Sequence, residues 1–490
     1  MAPTQSEVSG AARKLRSNLE IIADSYSIDT SYCLIPSRVE VWPFKLSVMV
    51  LSYILGQNTI LVGEPGFGKT VSAKTVASVM TRLPYDLYSA TQIQGHPEQT
   101  QASLVGRPDF HKLSMPDGGE VTIWNPMVYL PAVVADELPR LPEGKQEMLL
   151  DAVDTGRWQS PLNHIIYKGK TPFFATANYP ENSKPLLITP MRDRFAVMLE
   201  LGYLGPEVQE KVNAADRLRT EHLSSPEMVR EIMAELREPG NGDADERKIA
   251  AIPKYQERFA EQMHGHGLEP LSNEELCALR GAILAVRMKV PEKNDYAGLL
   301  FLDSIVTEMN STPLYGLKRR SDPIDDSSHA MSLASTKVYN SLSPRGIRAI
   351  EEYAKGLAFL QGKPAVSKDE VFVAACMVLM PRIEPTVELQ GSAEGQSWGT
   401  GGPLQLEAAY RLLAGVEGHY ATTKENVATV HRYLSGASDL TPQERRTAEE
   451  ILATRPDELK AKYDTPLLWH YITAWKNAHK REELKAKRQS

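Results

Sequence analysis

At 490 residues the chain is longer than one hydrophobic core sustains, so two to four domains are expected. Its 42% hydrophobic and 24% charged residues are those of an ordinary soluble globular protein, not a fibrous or disordered one. The 55 basic and 62 acidic side chains leave a net charge of −7, which excludes a global electrostatic pull toward nucleic acid but not a local basic patch.

Cys33, Cys277 and Cys376 lie far apart, without metal-ligand spacing, as free thiols in a reducing compartment would. The first residues are polar and lack the apolar core of a signal peptide. The greasiest stretch, 46–55, is too short for the ~20 residues of a spanning helix. The expectation is a cytoplasmic protein with no membrane insertion.

Residues 1–42 read as an N-terminal helical segment, with Leu15, Leu19, Ile22 and Ala23 on one stripe, followed by a turn-rich link. A helix near 43–55 delivers the chain to a short β-branched run, 59–62. Gly63-Glu64-Pro65-Gly66-Phe67-Gly68-Lys69-Thr70 follows, in the form G-x-x-x-x-G-K-T, and Val71 continues into a segment of helical spacing. Strand, glycine loop and helix thus occur in the order a phosphate cradle needs. The glycines let backbone N–H groups close around an anion, and the helix N-terminus adds positive potential. Lys69 can reach the β- and γ-phosphates of ATP, and the Thr70 hydroxyl can hold Mg2+.

Residues 85–90 are predicted as a strand and 95–105 as a short helix. The segments 112–115 and 120–124 flank the turn Asp117-Gly118-Gly119 and predict a hairpin. The apolar run 132–135 ends in Asp136 and Glu137. A buried strand would place Asp136 beside the phosphates, holding Mg2+ through water, and Glu137 where it can polarise the attacking water. A helix is expected over 144–153 and a hairpin over 156–167. The strand predicted over 171–177 ends at Asn178, either an amide orienting the hydrolytic water or a turn residue ahead of Pro180. Arg192-Asp193-Arg194-Phe195 reads by itself as a surface charge cluster.

Between 205 and 340 no clean motif occurs. Helices are expected over 206–236 and 273–288, with a break at 238–245 and a polar loop over 311–335. His264 and His266 lack a third ligand and read as solvent-exposed. Ser343-Pro344-Arg345 opens a helix over 346–360 with Ser343 as its cap, and Ser367 begins another over 370–380. Helices follow a Gly/Ser-rich linker at 391–402.

Together these motifs resemble AAA+ ATPases of the MoxR type, similar to the magnesium-chelatase ATPase subunit and the MCM helicases. The resemblance runs from about Pro43 to Pro381. It rests on Gly63 through Thr70, on Asp136-Glu137 followed by Arg140, on Ala175-Thr176-Ala177-Asn178, on Asp193-Arg194-Phe195 and on Ser343-Pro344-Arg345. It implies an α/β AAA+ P-loop NTPase with a parallel sheet core, an α-helical lid and an additional helical C-terminal region. The segments would be 1–42, a core over 43–203 with two projecting hairpins, a lid with inserted helices over 204–390, and 391–490.

The resemblance further implies ATP and Mg2+ as cofactors. It makes Asn178 the sensor of the γ-phosphate, Arg194 (or Arg192) an arginine finger reaching the adjacent subunit's ATP, and Arg345 a second sensor on the lid. It implies a ring homo-oligomer, a hexamer, acting on a client protein or complex, with a von Willebrand factor A (VWA) domain protein as a frequent partner. A DNA-dependent motor of the MCM-like type is the alternative, and it would need basic pore loops. The chain departs from the family at Pro139, where an Asn is usual, and in the long stretch between Arg194 and Arg345.

Overall fold

The computed structural model describes residues 5–26, 31, 33–35, 37–116, 119–179, 187–202, 222–239, 242–312, 315–319, 333–386, 389, 404–455, 458 and 465–489. By internal contacts they fall into one unit of Met1–Ala285 with 359–361 and 401–403, and another of 286–358, 362–400 and 404–490. Residues 222–285 of the expected lid segment therefore cluster with the sheet.

The first unit begins with α1 (Gln5–Tyr26) and α2 (Phe44–Leu55), then β1 (Thr59–Val62), α3 (Lys69–Thr81), α4 (Tyr85–Thr91) and β2 (Ile93–Gln94). Next come α5 (Gln101–Leu104), β3 (Gly106–Pro108), α6 (Phe110–Leu113), β4 (Thr122–Trp124) and β5 (Val133–Asp136). These lead to α7 (Glu143–Met148), α8 (Leu150–Thr155), β6 (Arg157–Gln159), β7 (Ile165–Tyr167), β8 (Phe173–Ala177), α9 (Thr189–Arg194) and β9 (Val197–Glu200). The unit closes with α10 (Pro226–Leu236), α11 (Asp243–Gly265) and α12 (Asn273–Ala285).

The central sheet has the order β2-β5-β8-β1-β9, all parallel. Its strands are nearly continuous apolar runs because a parallel sheet is covered on both faces; β1 and β8 are buried at every residue. Val62 stands opposite Ala177 and Glu200, and Gln94 opposite Asp136. The register thus brings the carboxyl ends of β1, β5, β8 and β9 to one edge, where open α/β sheets bind ligands.

Asn58, just before β1 and 1% exposed, ties the strands to the helices behind them. Its amide donates to the carbonyls of Val153 at 3.0 Å and Arg194 at 2.9 Å, and its Oδ1 accepts from the Phe173 N–H at 3.0 Å. At the far end of α3, Gln256 of α11 donates to the Thr81 carbonyl at 2.6 Å and Arg82 donates to Asn273 at 2.9 Å. Tyr129 donates to Asp245 at 2.6 Å and accepts from Lys248 at 3.1 Å, seating α11 through buried polar groups. The expected stripe of Leu15, Leu19, Ile22 and Ala23 is buried, and Asn18 pairs with the Glu269 backbone through both ends of its amide.

Several predicted elements differ. Residues 85–90 form α4 and not a strand: Leu87, Tyr88 and Thr91 recur at helical spacing and are the buried positions. The sheet is joined instead by the two-residue β2. The first hairpin pairs β3 with β4; the segment 112–115, expected as its first arm, instead begins within α6, a helical turn that Asp109 caps at the His111 and Lys112 N–H groups. Residues 117–118 of its turn lie outside the described residues. Of the helix expected over 95–105, only α5 is helical, started by the Thr100 capping box. The second hairpin, β6 with β7, is as expected.

The two hairpins are joined. Buried Thr122 of β4 bonds the Ser160 hydroxyl at 3.1 Å and His164 Nδ1 at 2.8 Å, and Ser160 accepts from the Leu162 and His164 N–H groups. At the base of the second hairpin the Trp158 ring stacks on Phe173 of β8 with centroids 6.0 Å apart, and Lys168 donates to the Leu130 carbonyl ahead of β5.

The second unit is helical among its described residues: α13 (Ala297–Asn310), α14 (Pro344–Leu360), α15 (Lys368–Leu379), α16 (Leu404–Leu434), α17 (Pro442–Ala453) and α18 (Pro466–Gln489). Ser343 accepts from the Gly346 N–H at 3.2 Å, the cap expected there, and Ser367 with Glu370 forms a capping box at α15. Phe301 of α13 meets Phe372 of α15 and Tyr420 of α16, which packs these three helices around one aromatic group. Much of the polar loop expected over 311–335 lies outside the described residues.

Candidate nucleotide site

The site begins at the carboxyl end of β1. A Cβ on Gly63 would stand 2.0 Å from the Leu201 carbonyl oxygen, so only glycine lets the loop leave the sheet here. Gly66 and Gly68 hold φ of 89° and 73°, the left-handed region glycine tolerates. Gly68 caps α3, whose first turn presents backbone N–H groups that lack intrahelical partners. Glu64, Pro65 and Gly66 are exposed, Phe67 is half-buried and Val71 is 41% exposed, so the cradle is open to solvent above a buried floor.

Lys69 is on that floor, 7% exposed. Its ammonium donates to the carbonyls of Gly63 and Glu64 at 2.7 Å each and to Asn178 Oδ1 at 3.0 Å. Burial pushes it below its usual range, while Asp136, Glu137 and Glu64 pull it back up. A polyphosphate would supply further negative charge at the place where the cation is desolvated.

Thr70 donates to Asp136 Oδ1 at 2.5 Å, and Thr176 of β8 donates to the same oxygen at 2.6 Å. The Thr176 hydroxyl also accepts from the Glu137 N–H at 2.9 Å. Asn178 Nδ2 donates to Glu137 Oε1 at 3.0 Å, and Arg140 pairs with Glu137 Oε2 at 2.9 Å. Lys69, Asn178, Glu137 and Arg140 therefore form one chain of contacts across three strand ends. A hydroxyl and a carboxylate drawn together are the hard oxygen donors that suit Mg2+, an ion usually held by one or two protein groups, waters and phosphate. Among the described residues no cluster of three or more His, Cys, Asp or Glu competes for a metal.

The structure thus brings Lys69, Thr70, Asp136, Glu137 and Asn178 together. Arg194 is placed differently. It ends α9, donates to the Pro190 carbonyl at 2.9 Å and approaches Asp154 at 3.6 Å within its own chain, with its side chain 17% exposed. Arg192 donates to Thr189 at 2.9 Å. Arg345 is exposed in the first turn of α14, in the second unit.

Thr176, Tyr179 and Glu200 received no role from the sequence. Tyr179 donates to Glu200 at the end of β9; burial, and then that bond, push its phenol above the usual range. A hydroxyl residue such as Thr176 inside an otherwise apolar buried strand was the available signal.

The model of the AAA lid domain matches residues 330–397. No curated protein matches the sequence. Among solved structures, the chain is similar to a Cytophaga hutchinsonii protein described as a candidate ATPase. Identity is 17%, the TM-score is 0.52, and the match covers 83% of this chain and 96% of that one.

The fold is that of an AAA+ ATPase. The matched AAA+ lid segment holds α14 and α15, and so Arg345. Among the described residues no helix is long and apolar enough to cross a membrane.

Proposed function

We propose that this chain is a MoxR-like AAA+ ATPase that hydrolyses ATP at the subunit interfaces of a hexameric ring to remodel, activate or assemble a client protein complex. The observation that supports this most is the meeting of Lys69, Thr70, Asp136, Glu137 and Asn178 at one edge of the sheet. Lys69 would neutralise the β- and γ-phosphates, and Thr70 with Asp136 would hold Mg2+, whose positive charge would offset the charge developing on the phosphate. Asn178 turns its Nδ2 from Glu137 to the γ-phosphate. Glu137 accepts a hydrogen bond from the water whose oxygen attacks the γ-phosphorus while the bond to the β-phosphate oxygen breaks and ADP leaves. Arg194 reaches the neighbouring subunit's ATP, and Arg345 acts from the lid. A VWA-domain partner and metal-cofactor insertion belong to this reading as forms the client reaction takes in the resembling family.

Lys69→Ala should abolish nucleotide binding, whereas Glu137→Gln should bind ATP and fail to turn it over. The stalled ring then serves as a trap whose co-purifying protein identifies the client. Equal ATP turnover by wild type and Lys69→Ala would refute the assignment. A steep salt dependence of binding to DNA would favour the MCM-like motor over the protein remodeller.

A further inference from the structure

Glu137 carries the proposed turnover, and its backbone has little freedom. It holds a left-handed conformation with φ 50° and ψ 41°. Thr176 accepts from its N–H at 2.9 Å, its carbonyl accepts from the Arg140 N–H at 2.9 Å, and the Asp136 carbonyl accepts from the Gly95 N–H at 2.8 Å. With the main chain clamped from three sides, the direction of the carboxylate depends on what holds its two oxygens.

Those holders are Asn178 on Oε1 and Arg140 on Oε2. They are not equivalent. Asn178 also serves Lys69, and in the proposed reaction it must turn to the γ-phosphate, which leaves Arg140 as the restraint on Glu137. The short 3₁₀ turn Leu138–Arg140 delivers it, since residues three apart eclipse in that geometry. Pro139, where the resembling family has Asn, stiffens the same turn by fixing φ. The pair is too exposed, at 59% and 33%, to add much to folding.

We propose that Arg140 is a positioning residue: its guanidinium keeps the Glu137 carboxylate aimed at the attacking water once Asn178 has moved to the phosphate. This rests on the ATPase reading above.

The test uses the full-length assembled protein. Arg140→Ala should lower kcat by about 10- to 100-fold, part of the 10²–10⁴ that a positioned general base supplies. ATP affinity should stay within about twofold, because Lys69, Thr70 and Asp136 are untouched. Arg140→Lys should recover part of the loss. In a double-mutant cycle, Glu137→Asp, whose shortened carboxylate keeps a slow turnover but no longer meets Arg140, should be no slower with Arg140→Ala added, a readout that general loosening of the fold would not reproduce. Unchanged kcat, a parallel fall in ATP affinity, or a slower double variant would overturn the proposal. A wild-type chain with no turnover would sink the ATPase reading itself and this proposal with it.

Discussion

Asn58 is the most exacting test of how the site is held. Asn58→Ala removes three hydrogen bonds at once and leaves the Phe173 N–H and the carbonyls of Val153 and Arg194 without that partner. A buried polar group stripped of its partner costs about 1–3 kcal/mol. Carbonyls bear this better than N–H groups, and a water entering the vacated space restores part, so we take a net loss of ~3 kcal/mol. At 1.4 kcal/mol per decade that is ~10²-fold. Native-state hydrogen exchange should show the Phe173 amide opening faster by about that factor. Asn58→Asp keeps the shape and the acceptor for Phe173 but sets carboxylate oxygen against two carbonyls, so at neutral pH it should be at least as harmful as Ala. A loss under about 1 kcal/mol for Asn58→Ala, or an Asp variant more stable than the Ala one, would refute the reasoning.

Arg194→Ala should lose hydrolysis yet be rescued in rings mixed with a Lys69→Ala subunit, each supplying what the other lacks; failure of rescue moves the finger to Arg192. Gly95→Ala would place a Cβ 1.9 Å from the Glu137 carbonyl oxygen and force β2 from β5. Its turnover should fall by about tenfold or more for a stability loss of ~1–3 kcal/mol, read by ATPase assay and chemical denaturation. Tyr129→Phe leaves buried Asp245 and Lys248 without the bridging hydroxyl and should cost about 1–3 kcal/mol in urea unfolding, with ATP affinity unchanged.

The cradle was legible because its chemistry is local. Glycines at fixed offsets, a Lys-Thr pair and a helix start lie within one short stretch, as does the apolar run ending in Asp136 and Glu137. Residues 85–90 misled because a short mix of aromatic and polar residues carries neither period clearly, and the buried side of α4 is set by its neighbours. The first hairpin misled because a glycine turn suggests close pairing, whereas Asp109 starts a helical turn and moves the partner strand back to 106–108. Asn58 was not legible at all: an amide before a strand is ordinary, and its three partners lie 95, 115 and 136 residues away. Thr176 stood out as a hydroxyl in an apolar run, but its bonds were not legible, since its two partners lie 39 and 40 residues away.

The Thr122–Ser160–His164 contact has a mechanical consequence. Because Thr122 of the first hairpin and Ser160 and His164 of the second share buried bonds, a load on exposed Phe110 or Met115 would also be borne by the second hairpin, whose tryptophan rests on the strand that ends beside Asn178. Tugging at either hairpin would then be felt at the strand that carries the proposed γ-phosphate sensor, Asn178, and a shift of that strand would be felt at both hairpins.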